Sequence, residues 1–280
     1  SHCSGRSLTP LILWQSSPLT LAASSNVARV LFSHLQESGM SKIQLVVFDM
    51  AGTTVKDANE VQACFSTAAQ ATGLTAEPEQ INAMMGWSKR LVFETLWQQQ
   101  IGIDHPDYTK QVDASYAYFC KALENHYRTQ PVQPTEGCLE VFAWLKSQGT
   151  KIALNTGFYR KVTDIILHRL GWNKGLNADY IGSDQSIIHV SVTPSEIHGD
   201  EGRPAPYMIQ KAMYKLGVKD SQAVIVLGDT PSDLEAGFNA HCLMSLGMTS
   251  GTHTREQLES YPNHGLLDSL YELKERIARS

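Results

Sequence analysis

The stretch IQLVVFDMAGTTV, residues 43–55, joins a run of apolar residues to an aspartate and a glycine-containing turn. Such a run is typical of a strand that is buried on both faces of a parallel sheet. Asp49 follows the run directly, and open α/β sheets bind ligands at the carboxyl ends of their strands. Position 51, where a second acid could assist Asp49, holds an alanine. The stretch therefore predicts a site at Asp49 and leaves open which reaction runs without that acid.

Three later segments repeat the pattern of a short apolar run followed by a polar turn. They are KIALNTG at 151–157, the weaker DYIGSDQ at 179–185, and AVIVLGDT at 223–230. Helical patterns alternate with them, at 138–147, 159–170, 205–216 and 231–239. This alternation predicts an α/β fold with a doubly wound, Rossmann-like parallel sheet.

The region 60–129 departs from this alternation because it shows helical periodicity without strand patterns. We interpret it as an inserted helical cap domain. The core domain would then comprise residues 40–59 and 130–280, with the proline-containing stretch QPVQPTEG at 130–137 as the return hinge.

The first 39 residues are expected to be an extension outside the catalytic fold. Their short apolar run is broken by Pro10 and Gln15, which argues against a signal peptide, and Met40 stands just before the first strand.

Composition excludes several classes of function. The net charge of −5 and the pI near 6.0, without a basic stripe, argue against a nucleic-acid partner. No apolar run reaches the roughly 20 residues that cross a bilayer, so no membrane association is expected. Five scattered cysteines without a CxxC pair indicate a reducing, cytoplasmic compartment.

Polar side chains follow three of the predicted strands directly: Asp49, Thr156 and Asp229. Since parallel strands end at one edge of a sheet, we expect these side chains to converge. Asp233 comes four residues after Asp229 in GDTPSD, at the start of the next helix, so it can lean over the same pocket. Oxygen ligands without sulfur or histidine suit Mg²⁺.

An anionic substrate would also need cations and hydroxyls. Arg203, in GDEGRPAP, stands at a glycine-proline turn, and Thr156 offers a hydroxyl beside the backbone N–H of Gly157. Together with Mg²⁺ these groups would form a cradle for a phosphoryl group. Each feature alone has a simpler interpretation, as a turn aspartate, a capping threonine or a surface arginine. Their joint occurrence at the strand ends favours a catalytic site.

From residue 42 to 280 these motifs resemble the haloacid dehalogenase superfamily of aspartate-nucleophile hydrolases and phosphotransferases. The common pattern of that superfamily has a second aspartate two residues after the nucleophile and a lysine as its third motif, where this chain has Ala51 and Arg203. That pair of departures, in DMAGTT and GRPAP, resembles the phosphonatase branch. The branch also carries a Schiff-base lysine in a Met-Gly-x-x-Lys context, and here MGWSK ends at Lys89. The alternative for Lys89 is a solvated lysine on a helix.

The resemblance implies a reaction that needs no acid at position 51. Lys89 would form a Schiff base with a small 2-oxoalkylphosphonate such as phosphonoacetaldehyde, and Asp49 would attack phosphorus, since the iminium can hold the electrons of the broken carbon–phosphorus bond as an enamine. It also implies three sets of residues: Arg203 and Thr156 on the phosphoryl oxygens; Asp49, the Ala51 carbonyl, Asp229 and Asp233 around Mg²⁺; and Gly52, Thr53, Met85, Gly86, Gly157 and Phe158 around the substrate.

Three positions depart from phosphonatases proper, which have histidine, tyrosine and cysteine where this chain has Val92, Phe158 and Asn59. Two other functions therefore stay open: a phosphatase acting on a small phosphate ester, with Lys89 as a phosphate contact, and a non-catalytic module that binds a phosphorylated ligand. The apolar segment 61–71 could form a homodimer face, although core packing explains it equally well.

Overall fold

The computed structural model describes residues 43–279, so the predicted extension at 1–39 lies outside the described residues. Six strands form one sheet, in the order β3-β2-β1-β4-β5-β6, and every pair is parallel. The strands are β1 (Leu45–Phe48), β2 (Lys151–Asn155), β3 (Val190–Val192), β4 (Val224–Gly228), β5 (Met244–Met248) and β6 (Leu266–Leu267). The predicted doubly wound α/β fold is confirmed.

Four helices form the region 60–129 that follows β1. They are α1 (Glu60–Thr72), α2 (Pro78–Ala83), α3 (Lys89–Ile101) and α4 (Tyr108–Thr129). Within the predicted helical region, the segment MGWSK separates α2 from α3. Gly86 has φ of +89°, in the left-handed region that favours glycine, and it turns the chain between them.

The remaining helices accompany the later strands. They are α5 (Cys138–Ser147), α6 (Arg160–Leu170), α7 (Tyr207–Leu216), α8 (Pro231–Asn239), α9 (Arg255–Glu259) and α10 (Glu272–Ala278). Alternate residues of β1 enter different hydrophobic clusters, with Val46 and Phe48 on one face of the sheet and Leu45 and Val47 on the other. The sheet is therefore buried on both faces, as its continuous apolar strands predicted.

The prediction of a strand at 179–185 was wrong. Within that segment Ile181 makes only an isolated antiparallel bridge to Val190, and the neighbour of β2 is the short strand β3. The strands β5 and β6 were not predicted. Strand β5 reads MSLGM, in which a serine and a glycine interrupt the apolar run, and β6 is too short to form a pattern.

The chain leaves β1 and returns to the sheet along paired segments. Val55 bridges Pro134, the Lys56 N–H donates to the Gln133 carbonyl at 2.9 Å, and the Thr135 N–H donates to the Thr54 carbonyl at 3.0 Å. The predicted hinge therefore pairs with the outgoing segment. The division into core and cap domains stays a prediction.

The apolar face of α1 packs against α4. Phe65 stacks on Phe119 with ring centroids 4.2 Å apart, and Val61, Ala68 and Ala69 are buried. These side chains pack inside the chain itself. A homodimer through the cap stays a prediction. Over residues 43–279, no helix combines the length and the apolar character that crossing a membrane would require.

Candidate active site

The predicted carboxylates meet at the carboxyl edge of the sheet. Asp49 follows β1, Asp229 follows β4, and Asp233 lies in the first turn of α8. All three are buried, and one oxygen from each lies within 4.8 Å of the others. Like charges this close repel, so the arrangement favours a bound cation.

Asp229 is the most enclosed of the three. Burial, and then the neighbouring charge of Asp49, raise its pKa to about 7. Its Oδ1 accepts a hydrogen bond from the Thr53 hydroxyl at 3.2 Å, and its Oδ2 accepts two from Thr252. Gly52 packs so closely that a Cβ there would lie 2.3 Å from Oδ2. A divalent cation would relieve the cost of ionising this carboxyl group.

Asp233 is held by the start of its own helix. Its Oδ2 accepts from the Thr230 N–H at 3.0 Å and from the Thr230 hydroxyl at 2.6 Å, which forms a capping box. Its Oδ1 pairs with Arg203. The helix therefore presents this carboxylate in one orientation.

Arg203 lies among the acids rather than on the surface. Its Nη1 is 2.8 Å from Asp49 Oδ1, and the residue is only 2% exposed. Its Nε has no hydrogen-bond acceptor among residues 43–279. A buried donor without an acceptor costs free energy unless a ligand supplies one, so this group is suited to an anion.

Thr156 and Gly157 follow β2 at the same edge. The Thr156 hydroxyl accepts a hydrogen bond from the Phe158 N–H at 3.1 Å, which leaves its proton free to donate. The Thr54 hydroxyl, which sequence reasoning did not single out, donates to the Asp49 carbonyl at 2.8 Å and fixes the turn after β1.

Lys89 is buried and not solvated, being only 5% exposed at the start of α3. Its Nζ lies 5.7 Å from the ring centroid of Phe65 and 5.3 Å from that of Phe158. Burial, and then the charge of Arg203, lower its pKa to about 8, although the charge of Asp49 opposes the shift. A substantial fraction of this amine is therefore neutral, and so nucleophilic, near neutral pH.

The MGWSK turn is seated directly on the loops that follow β2 and β4. A Cβ at Gly157 would lie 2.5 Å from the Trp87 carbonyl oxygen, and a Cβ at Gly86 would lie 2.3 Å from the Ser232 hydroxyl. Glycine at both positions is what allows this approach. The turn thereby brings Lys89 into the chamber that contains Asp49.

The chamber is small, with a volume of about 20 Å³, which accommodates roughly one water molecule. Its lining comprises Asp49, Ala51, Val61, Met85, Gly86, Lys89, Thr156, Gly157, Phe158, Arg203, Thr230 and Thr252. A larger cavity of about 950 Å³, lined in part by Gly52, Glu60 and Tyr127, shares no lining residue with the chamber.

The structure brings most of the predicted site residues into the chamber. Gly52 and Thr53 instead contact Asp229 from behind, and Asp229 and Asp233 complete the acidic cluster beside the chamber. Sequence reasoning missed Val61, Thr230 and Thr252. Thr230 belongs to the GDTPSD motif and could have been found as the start of a capping box, whereas no local pattern marks Thr252.

Comparisons with known proteins identify the family and the fold. The sequence model of the haloacid dehalogenase-like hydrolases matches residues 43–241. The chain is 30% identical over 252 residues to the phosphonoacetaldehyde hydrolase of Parabacteroides distasonis, covering 85% of this chain and 89% of that protein. The phosphonoacetaldehyde hydrolase of Bacteroides fragilis is 28% identical over 254 residues, with the same coverage. A solved structure of a phosphonoacetaldehyde hydrolase-like protein from Oleispira antarctica matches with a TM-score of 0.65 at 19% identity, over 85% of this chain and 92% of that one.

Proposed function

The chain belongs to the haloacid dehalogenase-like hydrolases, and from that membership we propose that it is a Mg²⁺-dependent phosphonatase that cleaves the carbon–phosphorus bond of a small 2-oxoalkylphosphonate. The observation that carries the proposal is the position of Lys89. A buried amine with a pKa lowered to about 8, chiefly by burial, shares one chamber with Asp49 and Arg203. A lysine that only bound phosphate would gain nothing from losing its charge.

The first step uses Lys89 as a nucleophile. Its neutral Nζ attacks the carbonyl carbon of the substrate to form a carbinolamine, and uptake of one proton from solvent with loss of water leaves an iminium ion between the lysine and the substrate. The buried rings of Phe65 and Phe158 near the amine keep this bond formation away from bulk water.

The second step uses Asp49. Its carboxylate attacks phosphorus, the carbon–phosphorus bond breaks, and the electron pair moves into the iminium to form an enamine on Lys89. Water then hydrolyses the aspartyl phosphate, and protonation and hydrolysis of the enamine release the aldehyde or ketone and the free lysine. Because the iminium accepts the electrons, no acid is needed where Ala51 stands.

Arg203 and Thr156 would hold the phosphoryl oxygens during these steps. The orphan Nε of Arg203 and the free hydroxyl proton of Thr156 both lack acceptors within residues 43–279, and oxygens of the substrate would provide them. Gly157, Met85 and Gly86 would shape the space around the substrate.

The acidic cluster fits Mg²⁺. Asp49, Asp229, Asp233 and the Ala51 carbonyl would hold the ion, as hard oxygen ligands brought close together. The ion would neutralise charge on the phosphoryl group when bound. Arg203 already balances part of the negative charge by pairing with Asp49 and Asp233.

A chamber with room for about one water molecule cannot admit a phosphonate in this closed arrangement. We infer that the cap turn at MGWSK lifts from the loops after β2 and β4 during each cycle and closes again over the substrate.

A second candidate is phosphate-ester hydrolysis in the same site. It is favoured by Val92 and Phe158, which are buried and carry no proton-donating group where phosphonatases have histidine and tyrosine. In that case Lys89 would be a phosphate contact. Because the chain is a hydrolase of this family, the non-catalytic binding module loses its main support.

Borohydride trapping separates the two candidates. The protein is mixed with phosphonoacetaldehyde, reduced, digested and analysed by peptide mass spectrometry, with Lys89→Arg as the control. The proposal requires a stable adduct on Lys89 and Mg²⁺-dependent release of phosphate. Phosphate release from monoesters, with no adduct from any of several 2-oxophosphonates, would establish the phosphatase instead.

A further inference from the structure

Thr252 lies between β5 and α9 and contacts Asp229 through two donors. Its backbone N–H donates to Asp229 Oδ2 at 2.7 Å, and its hydroxyl donates to the same oxygen at 2.9 Å. Thr252 also lines the catalytic chamber. Two donors on one carboxylate oxygen fix the plane of the carboxylate and direct its charge.

The neighbouring glycines let the backbone pack tightly against the Asp229 carboxylate. A Cβ at Gly251 would lie 2.2 Å from Oδ2, and one at Gly52 would lie 2.3 Å from the same atom. The opposite oxygen, Oδ1, accepts a longer hydrogen bond from the Thr53 hydroxyl, at 3.2 Å. Thr252 therefore occupies one oxygen of the carboxylate fully and leaves the other less engaged.

Thr252 is also held from the helical region inserted after β1. Asn82, near the end of α2, donates its side-chain N–H to the Thr252 carbonyl at 3.1 Å, across 170 residues of sequence. The N–H, hydroxyl and carbonyl of one residue thus connect α2 to Asp229. A shift of α2 would pull on the segment that orients this carboxylate.

We propose that Thr252 is a positioning residue that orients Asp229 for a divalent cation, and that Asn82 makes this orientation depend on a seated cap. The inference rests on the metal site of the proposed function but not on the identity of the substrate. It links closure of the cap over the substrate to the readiness of the metal site, so that the cation is held best when the chamber is closed.

Mg²⁺ binding measured by titration calorimetry tests the role of the hydroxyl. Thr252→Val keeps the shape and the backbone N–H but removes the hydroxyl, whereas Thr252→Ser retains it. Loss of one hydrogen bond to a charged group corresponds to about a tenfold weaker Kd. We expect that loss in Thr252→Val and a change of about twofold or less in Thr252→Ser. Phosphate release by Thr252→Val should recover at saturating Mg²⁺, which a general loss of structure would not allow.

Asn82→Ala tests the link to the cap, with Gln62→Ala as the matched control. Gln62 is an exposed amide that donates to the Pro78 carbonyl at 3.2 Å, within the inserted helical region. We expect Asn82→Ala to weaken Mg²⁺ binding about threefold and Gln62→Ala to leave it unchanged, with the combined Asn82→Ala and Thr252→Val effects less than multiplicative. If Thr252→Val unfolds, Thr252→Ala removes the same hydroxyl and decides the role of Thr252, and Asn82→Ala still decides the link to the cap.

The failures are distinguishable. If the wild-type protein shows no saturable Mg²⁺ binding, the proposed metal site falls and this inference falls with it. If the wild-type protein binds Mg²⁺ and Thr252→Val binds it equally well, only the role of Thr252 is overturned. An unchanged Kd in Asn82→Ala overturns the link to the cap.

Discussion

Raising the pH should increase the rate at which Lys89 captures a carbonyl, with a plateau above pH 8. The amine reacts only when neutral, and burial, followed by the charge of Arg203, lowers its pKa to about 8. The pKa is depressed, so the neutral fraction is small well below pH 8 and nearly complete above pH 9.

The size of the effect follows from that pKa. At pH 7 about 9% of the amine is neutral, compared with about 0.03% of a lysine with an ordinary pKa near 10.5, an advantage of about 300-fold. Between pH 6 and 8 the neutral fraction rises about 50-fold, and between pH 8 and 9 it rises less than about twofold. A solvated lysine would gain about tenfold over that last step.

The assay measures early adduct formation. Protein and phosphonoacetaldehyde are mixed at each pH, quenched with borohydride after a fixed short time, and the fraction of modified Lys89 is read by mass spectrometry. Lys89→Arg should give no adduct at this position. Adducts at exposed lysines of the same sample provide an internal reference for an ordinary pKa.

A tenfold increase at Lys89 between pH 8 and 9, parallel to the exposed lysines, would refute the reasoning. It would mean that the amine is solvated and charged in solution, and that the buried position does not represent the working protein. Lys89 would then be a poor nucleophile at neutral pH, and the phosphatase candidate would gain.

Three further predictions concern the other parts of the site. Mg²⁺ should bind about tenfold more tightly at pH 8 than at pH 6, because burial and then the charge of Asp49 raise the pKa of Asp229 to about 7 and so set its ionised fraction. A Kd that does not change with pH in calorimetry would contradict this. Gly157→Ala should lower kcat about 100-fold with little change in Tm, because the new Cβ would meet the Trp87 carbonyl and displace the turn that carries Lys89. An unchanged kcat would show that catalysis does not require this turn to pack against Gly157. Asp49→Asn should abolish Mg²⁺-dependent phosphate release yet retain the borohydride adduct on Lys89, because the loss of a neighbouring negative charge lowers the pKa of the amine further. Residual phosphate release would exclude Asp49 as the nucleophile.

The main features of the fold were predictable because they depend on local patterns. Continuous apolar runs identified β1, β2 and β4, and the helices at 138–147 and 231–239 begin and end where predicted. The failures came where pattern is weak. The bridge at Ile181 and the three-residue strand β3 depend on which segment pairs with the edge of the sheet, and tertiary contacts determine that pairing.

Convergence of the site was also predictable, for a topological reason. A parallel sheet brings the carboxyl ends of its strands to one edge, so residues that follow separate strands meet there whatever the loops between them contain. This rule alone predicts that Asp49, Thr156 and Asp229 lie close together. Asp233 joins them because it lies one helical turn after Asp229.

The sequence by itself determined the strands β1, β2 and β4 and the acids that follow β1 and β4, because each depends on residues close together in the chain. Only the tertiary structure decided that Lys89 is buried near Phe65 and Phe158, and that Thr252 joins Asn82 to Asp229. Desolvation and hydrogen-bond partners come from segments far apart in sequence, and no local pattern records which of them will meet.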